Sequence, residues 1–559
     1  MNKDEIYKRI KRYFPLQFRD NPLSEYLARC LRTIAKKIDS DDLARLNDST
    51  GKSEFKGLVE KYSSIPEVGE PAEKVLDSIV NDLFSRVPRW RSPELQYNVG
   101  TAVNSVALAA YVLALEENIY AINNGLAGNS LAAEEAVSSI LARDLAGVEK
   151  KARGFFTFGG TATNLYAKKL GIKKAIPESS KKGNPEGIKA MVTRDCHFSH
   201  DVSIDWLGIG KDNTIIIEAG SDRRSNLDDA ERKIRETLDS GGILTSIAVN
   251  GGTTYNHIVD DIKGFVQLRD RIVQEYSLSY KPYIHVDSVI GWSWLFFRDY
   301  DFENNPLDIN QKALSMIREQ YQRISKINMA DSWGADFHKG VGACPVDCSI
   351  FMLNDERDLK YISKKEEIDI HHLAAEFSFT NPVDFTLETS RSAGPALSAL
   401  ASLHILGLNG YRRNLANLIE QTVVMRDKIG KHPDIYICHE DSSLGFVTML
   451  RFYPPELMQD LRLSMELSTP SPNTKDVSEQ VNKYMKKFFT WEESTRMRAG
   501  QGVEYSISSG YITLPNDAKI TGVKLYPVSP HFNEHYAKKA VETIVAQKRI
   551  FDKNIWDKK

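Results

Sequence analysis

The 559-residue chain has only five cysteines, an odd number in a long sequence, which argues against a disulfide-stapled secreted scaffold. It has no surplus of either charge. Lys and Arg total 73 against 75 Asp and Glu, so no basic field exists to hold a nucleic-acid backbone. It also lacks a long apolar run: the longest, Val106 to Leu115, is about half of what a bilayer span requires. The first residues, MNKDEIYKRIKRYF, are charged and aromatic and contain no apolar signal core. What remains is a globular composition, 42% hydrophobic and 26% charged. The length suggests roughly three or four structural units. These features predict an enzyme of a reducing compartment, the cytoplasm, with neither a nucleic acid nor a membrane as partner.

Residues 1–100 read as helices and connectors, with apolar residues at helical spacing over Leu23–Ile38 and Ala72–Leu83, and form an expected arm or cap. Helices are also predicted over Ala102–Glu117 and Asn129–Ala146. From Gly154 the pattern becomes short apolar runs alternating with longer amphipathic ones. Strands are predicted at Ala190–Thr193, Thr214–Ile217, Ser246–Val249, Tyr283–Val286 and Ser349–Leu353. Helices are predicted at Leu165–Lys174, Asn226–Ser240 and Ile262–Tyr276. Such alternation favours a mostly parallel sheet covered on both faces, with ligands beyond the carboxyl ends of the strands. Residues 101–385 are therefore expected to form a large α/β domain and residues 386–559 a smaller α+β domain.

Three segments carry chemistry. In ADSWGADFHKGVGACPVDCS (Ala330–Ser349) a single lysine, Lys339, lies in a Gly-, Ser- and His-rich loop next to a strand, where its amine can condense with a carbonyl. In YIHVDSVIGW, Asp287 ends a mostly apolar strand and needs a cationic or hydrogen-bonding partner, which a pyridinium nitrogen would satisfy. In TFGGTATN (Thr157–Asn164) a Gly-Gly turn precedes a helix and offers backbone N–H groups to a phosphate. Each is weak alone, because most Gly-Gly turns are only turns and most such aspartates are helix caps. Their order matters more. Pyridoxal phosphate requires separate partners for its phosphate, ring face, ring nitrogen and aldehyde.

With these segments the chain resembles the fold-type I, group II pyridoxal-phosphate-dependent amino-acid decarboxylases, the glutamate, tyrosine and aromatic decarboxylase family. The resemblance covers about Ser92 to Arg413. TFGGTATN is similar to the family's TSGGSEAN, and HFSHDVSIDWLGIG to its H-[YF]-S…LGIG. NGGTTYNHIVDDI, HVDS and ADSWGADFHK match GTT…D.I, HVDA and ADS…HK. ETSRSAGPALSALASLHILGLNGY resembles the SRS-G…LG-x-x-GY helix of the glutamate and tyrosine branches and of sphingosine-phosphate lyases. The resemblance implies an aspartate aminotransferase-like fold with a seven-stranded, mostly parallel sheet and a homodimer with its sites at the interface.

The same resemblance implies the roles. Lys339 would carry pyridoxal 5'-phosphate as a Schiff base, with Gly160, Thr161 and His338 on the phosphate. Asp287 would pair with the ring nitrogen and His197 stack on the ring. Thr254 and Ser332 align with polar residues lining the cofactor, and Arg391 with a position that meets the substrate carboxylate. Asn98, with Tyr97 and Gln96, follows a Ser-Pro similar to a family His-Pro and would line the substrate end. The implied activity is decarboxylation of an L-amino acid to an amine and carbon dioxide. The alternatives are carbon–carbon cleavage, as in sphingosine-phosphate lyases, and a cofactor-binding protein without turnover. The family's mobile loop maps to roughly Leu359–Phe379, which contains Tyr361 and the His371–His372 pair and leaves the proton donor open. Ala162 and Gly340 depart from the pattern, standing where Glu and a large residue are usual. Cys344 and Cys348 could suggest zinc, but four converging ligands are not in view, so no metal is expected.

Overall fold

The computed structural model describes residues 8, 11, 13, 21–38, 43–46, 55–149, 151–364, 381–457, 472–499, 502–513 and 519–556. The N-terminal part consists of α1 (Leu23–Ala35), α2 (Phe55–Tyr62) and α3 (Ala72–Leu83). α1 and α3 pack together, with Arg29 Nε 3.0 Å from Asp77 Oδ1. A short strand, β1 (Leu95–Gln96), and helices α4 (Ser105–Glu116) and α5 (Leu131–Ser139) lead into the main sheet. α4 begins where Asn104 takes the N-cap and accepts from Ala107 N–H at 2.7 Å.

The main unit runs β2 (Arg153–Thr157), α6 (Gly160–Ala175), β3 (Ile188–Thr193), α7 (Ser199–Trp206), β4 (Thr214–Ile217), α8 (Leu227–Asp239), β5 (Ile243–Asn250), α9 (Ile262–Glu275), β6 (Tyr283–Asp287), α10 (Gln311–Ile324), β7 (Ser332–Asp336) and β8 (Ser349–Leu353). The spatial order is β2-β8-β7-β6-β5-β3-β4. β3 to β7 are mutually parallel where they pair, and only β8 runs against its neighbours. The reason is local: the HK segment joins β7 to β8 without a crossover helix, and only an antiparallel pair can be closed that way. Side-chain caps set the helix starts, Asn226 for α8, Asp261 for α9 and Asn310 for α10.

The predicted strands and helices of this unit are present, with a residue or a few of difference at their ends. Strands β2 and β7 and helices α7 and α10 are not among the predicted elements. Of these, Ser332–Asp336 is a fully buried strand. Its small residues are needed because α6 lies across it: a Cβ on Gly334 would meet Thr163 Oγ1 at 2.6 Å. An apolar pattern is absent there because close helix packing replaced bulk.

The C-terminal part contains α11 (Gly394–Ile429, kinked at Gly407), β9 (Ile435–Ile437), β10 (Thr448–Phe452), α12 (Pro472–Ala499), β11 (Glu504–Thr513), β12 (Lys519–Leu525) and α13 (Glu534–Phe551). These strands form a second sheet, β1-β11-β12-β10-β9. β1 pairs in parallel with β11, so the chain just before residue 100 is tied to its far end. Among the described residues no helix is long and apolar enough to cross a membrane.

Candidate active site

Beyond the carboxyl ends of β5, β6 and β7 lies a cavity of about 200 Å³. Gly159, Gly160, Thr161 and Asn164 line it from the start of α6, and His197 and Ser199 from the start of α7. Asn250, Gly252, Thr253 and Thr254 follow β5, Asp287, Val289 and Ile290 end β6, and His338 and Lys339 follow β7. The main sheet supplies all of these elements, which is where a doubly wound sheet binds ligands. The expected residues Gly160, Thr161, His197, Thr254, Asp287, His338 and Lys339 therefore share one cavity.

At one end, Lys339 Nζ lies 2.8 Å from Asp336 Oδ2, and His338 Nε2 is 3.6 Å from the same oxygen. Asp336 is fully buried and held from the other side by Ser349 Oγ, which donates to Oδ1 at 2.6 Å. The lysine side chain keeps 22% of its surface exposed, so its amine is reachable from the cavity. The loop carrying it is fastened to the chain before α4: Thr101 Oγ1 donates to Gly340 O at 2.7 Å and accepts from Ala343 N–H at 3.1 Å. Gly160 opens α6 so close to Asp336 that a Cβ there would lie 2.8 Å from its Oδ2. This glycine lets the helix N-terminus, with its free N–H groups, approach the lysine.

At the other end, Asp287 Oδ2 accepts from Asn164 Nδ2 at 3.0 Å and from His200 Nε2 at 3.1 Å. Its Oδ1 is buried and has no hydrogen-bond partner among the described residues. Burial pushes this carboxyl's pKa up, but the hydrogen bonds from His200 and Asn164 outweigh it and hold it well below the usual carboxylate range. His197 stands above the cavity, its Nδ1 accepting from Ser199 N–H at 3.2 Å and lying 2.9 Å from Ser199 Oγ. Burial lowers its pKa, and Lys339 and Lys524 press in the same direction, so the ring is a neutral, flat surface at neutral pH.

Three expected residues lie elsewhere. Ser332 is inside the sheet, 2.9 Å from His285 Nδ1, and does not line the cavity. Asn98 is exposed, and its Oδ1 accepts from Lys524 Nζ at 3.0 Å. Arg391 does not line the cavity. Its guanidinium pairs with the buried Glu134 and donates to Phe156 O at 2.7 Å and Ala121 O at 3.1 Å, so those groups satisfy it in place of a substrate carboxylate. The His371–His372 pair lies outside the described residues, while Tyr361 packs beside Lys174. Cys344 and Cys348 are buried, and among the described residues no group of three or more metal-binding side chains occurs.

Lys524 was missed from the sequence. It projects from β12, and its ammonium sits 5.8 and 5.9 Å from the rings of Tyr255 and Tyr526. Burial pushes its pKa down to about 8, and no carboxylate among the described residues pairs with it. It is close enough to His197 to act on that ring's charge, and a buried cation without a counter-charge is a ready partner for an anion.

A pyridine ring suits this cavity. The unpartnered Asp287 Oδ1 calls for a donor that the protein does not supply, which a protonated ring nitrogen is. Independent comparisons agree. The pyridoxal-dependent decarboxylase conserved domain matches residues 312–450. An L-2,4-diaminobutyrate decarboxylase of Rhizobium meliloti is 24% identical over 393 residues, 70% of this chain and 72% of that protein. An L-tyrosine decarboxylase of Enterococcus faecalis is 25% identical over 253 residues, 42% of this chain and 39% of that one. Among solved structures, mouse CSAD in apo form superposes with a TM-score of 0.73 at 17% identity, covering 94% of this chain and 98% of its own. Oryza sativa TDC with PLP and tryptamine does so with a TM-score of 0.73 at 13%, covering 96% and 99%. At such identities these two likenesses establish the fold.

Proposed function

We propose that the chain, whose residues 312–450 match the pyridoxal-dependent decarboxylase conserved domain, is a pyridoxal-phosphate-dependent amino-acid decarboxylase that removes the α-carboxylate of an L-amino acid as carbon dioxide and returns the amine, with Lys339 as the residue that carries the cofactor. The observation that supports this most is the pairing of a reachable amine at one end of the cavity with an ionised, half-unpartnered carboxylate at the other. Pyridoxal phosphate, when bound, supplies an electron sink for the pair of electrons left by the departing carbon dioxide.

The side chains divide the remaining work. Asp287 offers Oδ1 to the ring nitrogen and keeps a proton there by charge already in place before reaction. Gly160 and Thr161, at the first turn of α6, offer unpaired N–H groups to the phosphate, and His338 stands beside them. His197 covers a ring face with an uncharged imidazole, and Thr254 closes the wall beside it. Asp336 holds the Lys339 amine at 2.8 Å, and that amine, in its protonated form, is a cavity-lining acid that can deliver a proton to the substrate carbon. Lys524 faces the substrate end as an anion acceptor, with Asn98 setting its position.

A homodimer is part of the same proposal. Val106, Leu108, Leu113 and Leu115 of α4 are exposed, as are Ile405 and Leu408 of α11, the helix packed against α4. Exposed apolar side chains on two helices packed together fit burial against a second copy. The cytoplasm is the proposed location, supported by five cysteines that are all free.

The test incubates purified protein and pyridoxal phosphate with a panel of amino acids and follows carbon dioxide and amine. Release of both from one or more of them is the expected result. Aldehyde and phosphoethanolamine from a sphingoid phosphate, with no carbon dioxide from any amino acid, would overturn the proposal. So would a bound chromophore without turnover.

A further inference from the structure

Behind Asp287 lies a pair of side chains that the reaction above does not use. Lys168 is on the inward face of α6 and only 2% exposed, and its Nζ lies 2.7 Å from His200 Nδ1. His200, on the first turn of α7 and 1% exposed, has its Nε2 3.1 Å from Asp287 Oδ2. An ammonium can only donate, so Nδ1 is the acceptor and carries no proton. The one hydrogen of the neutral ring is therefore on Nε2 and points at Asp287.

We propose that Lys168 and His200 are positioning residues: Lys168 fixes the His200 tautomer and keeps the ring uncharged, so that Asp287 remains fully ionised with Oδ1 reserved for a pyridine nitrogen. The inference rests on the cofactor reading above. Its logic is electrostatic. An imidazole buried against a carboxylate would normally take up a proton, and the imidazolium would then share the carboxylate's charge. A cation on the opposite ring nitrogen blocks that protonation. The charged and titratable groups around the Lys168–His200 pair include Asp287 and His285 from β6, Cys196 and His197 just before α7, and Asp201 on α7. Burial first, and Lys168 second, push His200 down to about 4 against the pull of Asp287. Burial also lowers Lys168, to about 8, which leaves it charged at neutral pH. A lysine serving only to fill space here would be a costly substitute for an apolar side chain.

The test reconstitutes the protein with pyridoxal phosphate and follows the cofactor's dissociation constant and visible absorption from about pH 5.5 to 7.5, where an ordinary imidazole changes charge. Both are expected to be flat for the wild type. Lys168→Met should acquire a transition that the wild type lacks, as the His200 pKa rises from its depressed value towards that of an ordinary imidazole, and below that transition the cofactor is held about tenfold more weakly. Lys168→Arg should stay flat, and Lys168→Met with His200→Gln should lose the transition because the titrating ring is gone. Superimposable wild-type and Lys168→Met titrations would overturn the inference, as would a transition that persists in the double variant. If Lys168→Met does not fold, His200→Leu decides: it should weaken the cofactor about tenfold at every pH, and unchanged affinity would refute the relay. Absence of any bound chromophore in the wild type would instead remove the cofactor reading and this inference with it.

Discussion

Two buried charge clusters flank the same sheet and end differently. At Arg391 the guanidinium, Glu134 and the carbonyls of Phe156 and Ala121 satisfy one another. At Asp287, Lys168 and His200 are satisfied in series, but the last oxygen, Oδ1, is left without a partner and borders a cavity. Burying charge costs free energy in both places. A closed cluster can return that cost only as fixed geometry, whereas an open one offers a ligand a strong interaction. The difference separates a clamp from a binding site, although both use rare buried ionic groups.

The contrast can be broken by mutation. Arg391→Leu strands Glu134 in the interior and should cost about 3–5 kcal/mol of stability, read by denaturant unfolding, while leaving kcat of the folded protein unchanged. A fall in kcat with stability intact would move Arg391 into the site. Asp287→Asn should do the reverse, lowering kcat about 10²–10³-fold, or ~2.7–4 kcal/mol, with little change in the denaturation midpoint. Lys524→Met should raise KM about tenfold with a smaller change in kcat; an unchanged KM would mean the ammonium meets no substrate anion.

A further expected effect concerns acid. His200 in the folded chain sits near 4 rather than 6.5, so the unfolded chain binds a proton in that interval that the folded chain refuses. Stability therefore falls as pH drops from about 6.5 towards 4, by at most about 1.4 kcal/mol per pH unit for this ring. His200→Gln should shrink the acid slope of the thermal midpoint. An unaltered slope would show that His200 is not buried neutral.

What could be read from sequence had a local signature. The Gly-Gly turn, Asp287 at a strand end and Lys339 after its histidine each announce themselves within a few residues, and the strand–helix alternation announces the sheet. The strand Ser332–Asp336 did not, because its small residues reflect the helix lying across it. Lys168 stands in AKKLGIKKA, where several lysines look alike, and only packing shows that this one turns inward. Lys524 is far along the chain and comes within electrostatic reach of His197 from the second sheet, a placement that no spacing encodes. Arg391 misled for the opposite reason: a motif gives a position but not the direction of a long side chain.

On the proposed reading the amine at position 339 and the carboxylate at 287 grip opposite ends of one pyridine ring. Incubating the protein with pyridoxal phosphate, reducing with borohydride and locating the adduct by peptide mass spectrometry tests this. The cofactor mass is predicted on the peptide bearing Lys339, and on no peptide in Lys339→Ala. An adduct that survives that substitution, or one mapped to another lysine, would contradict the account.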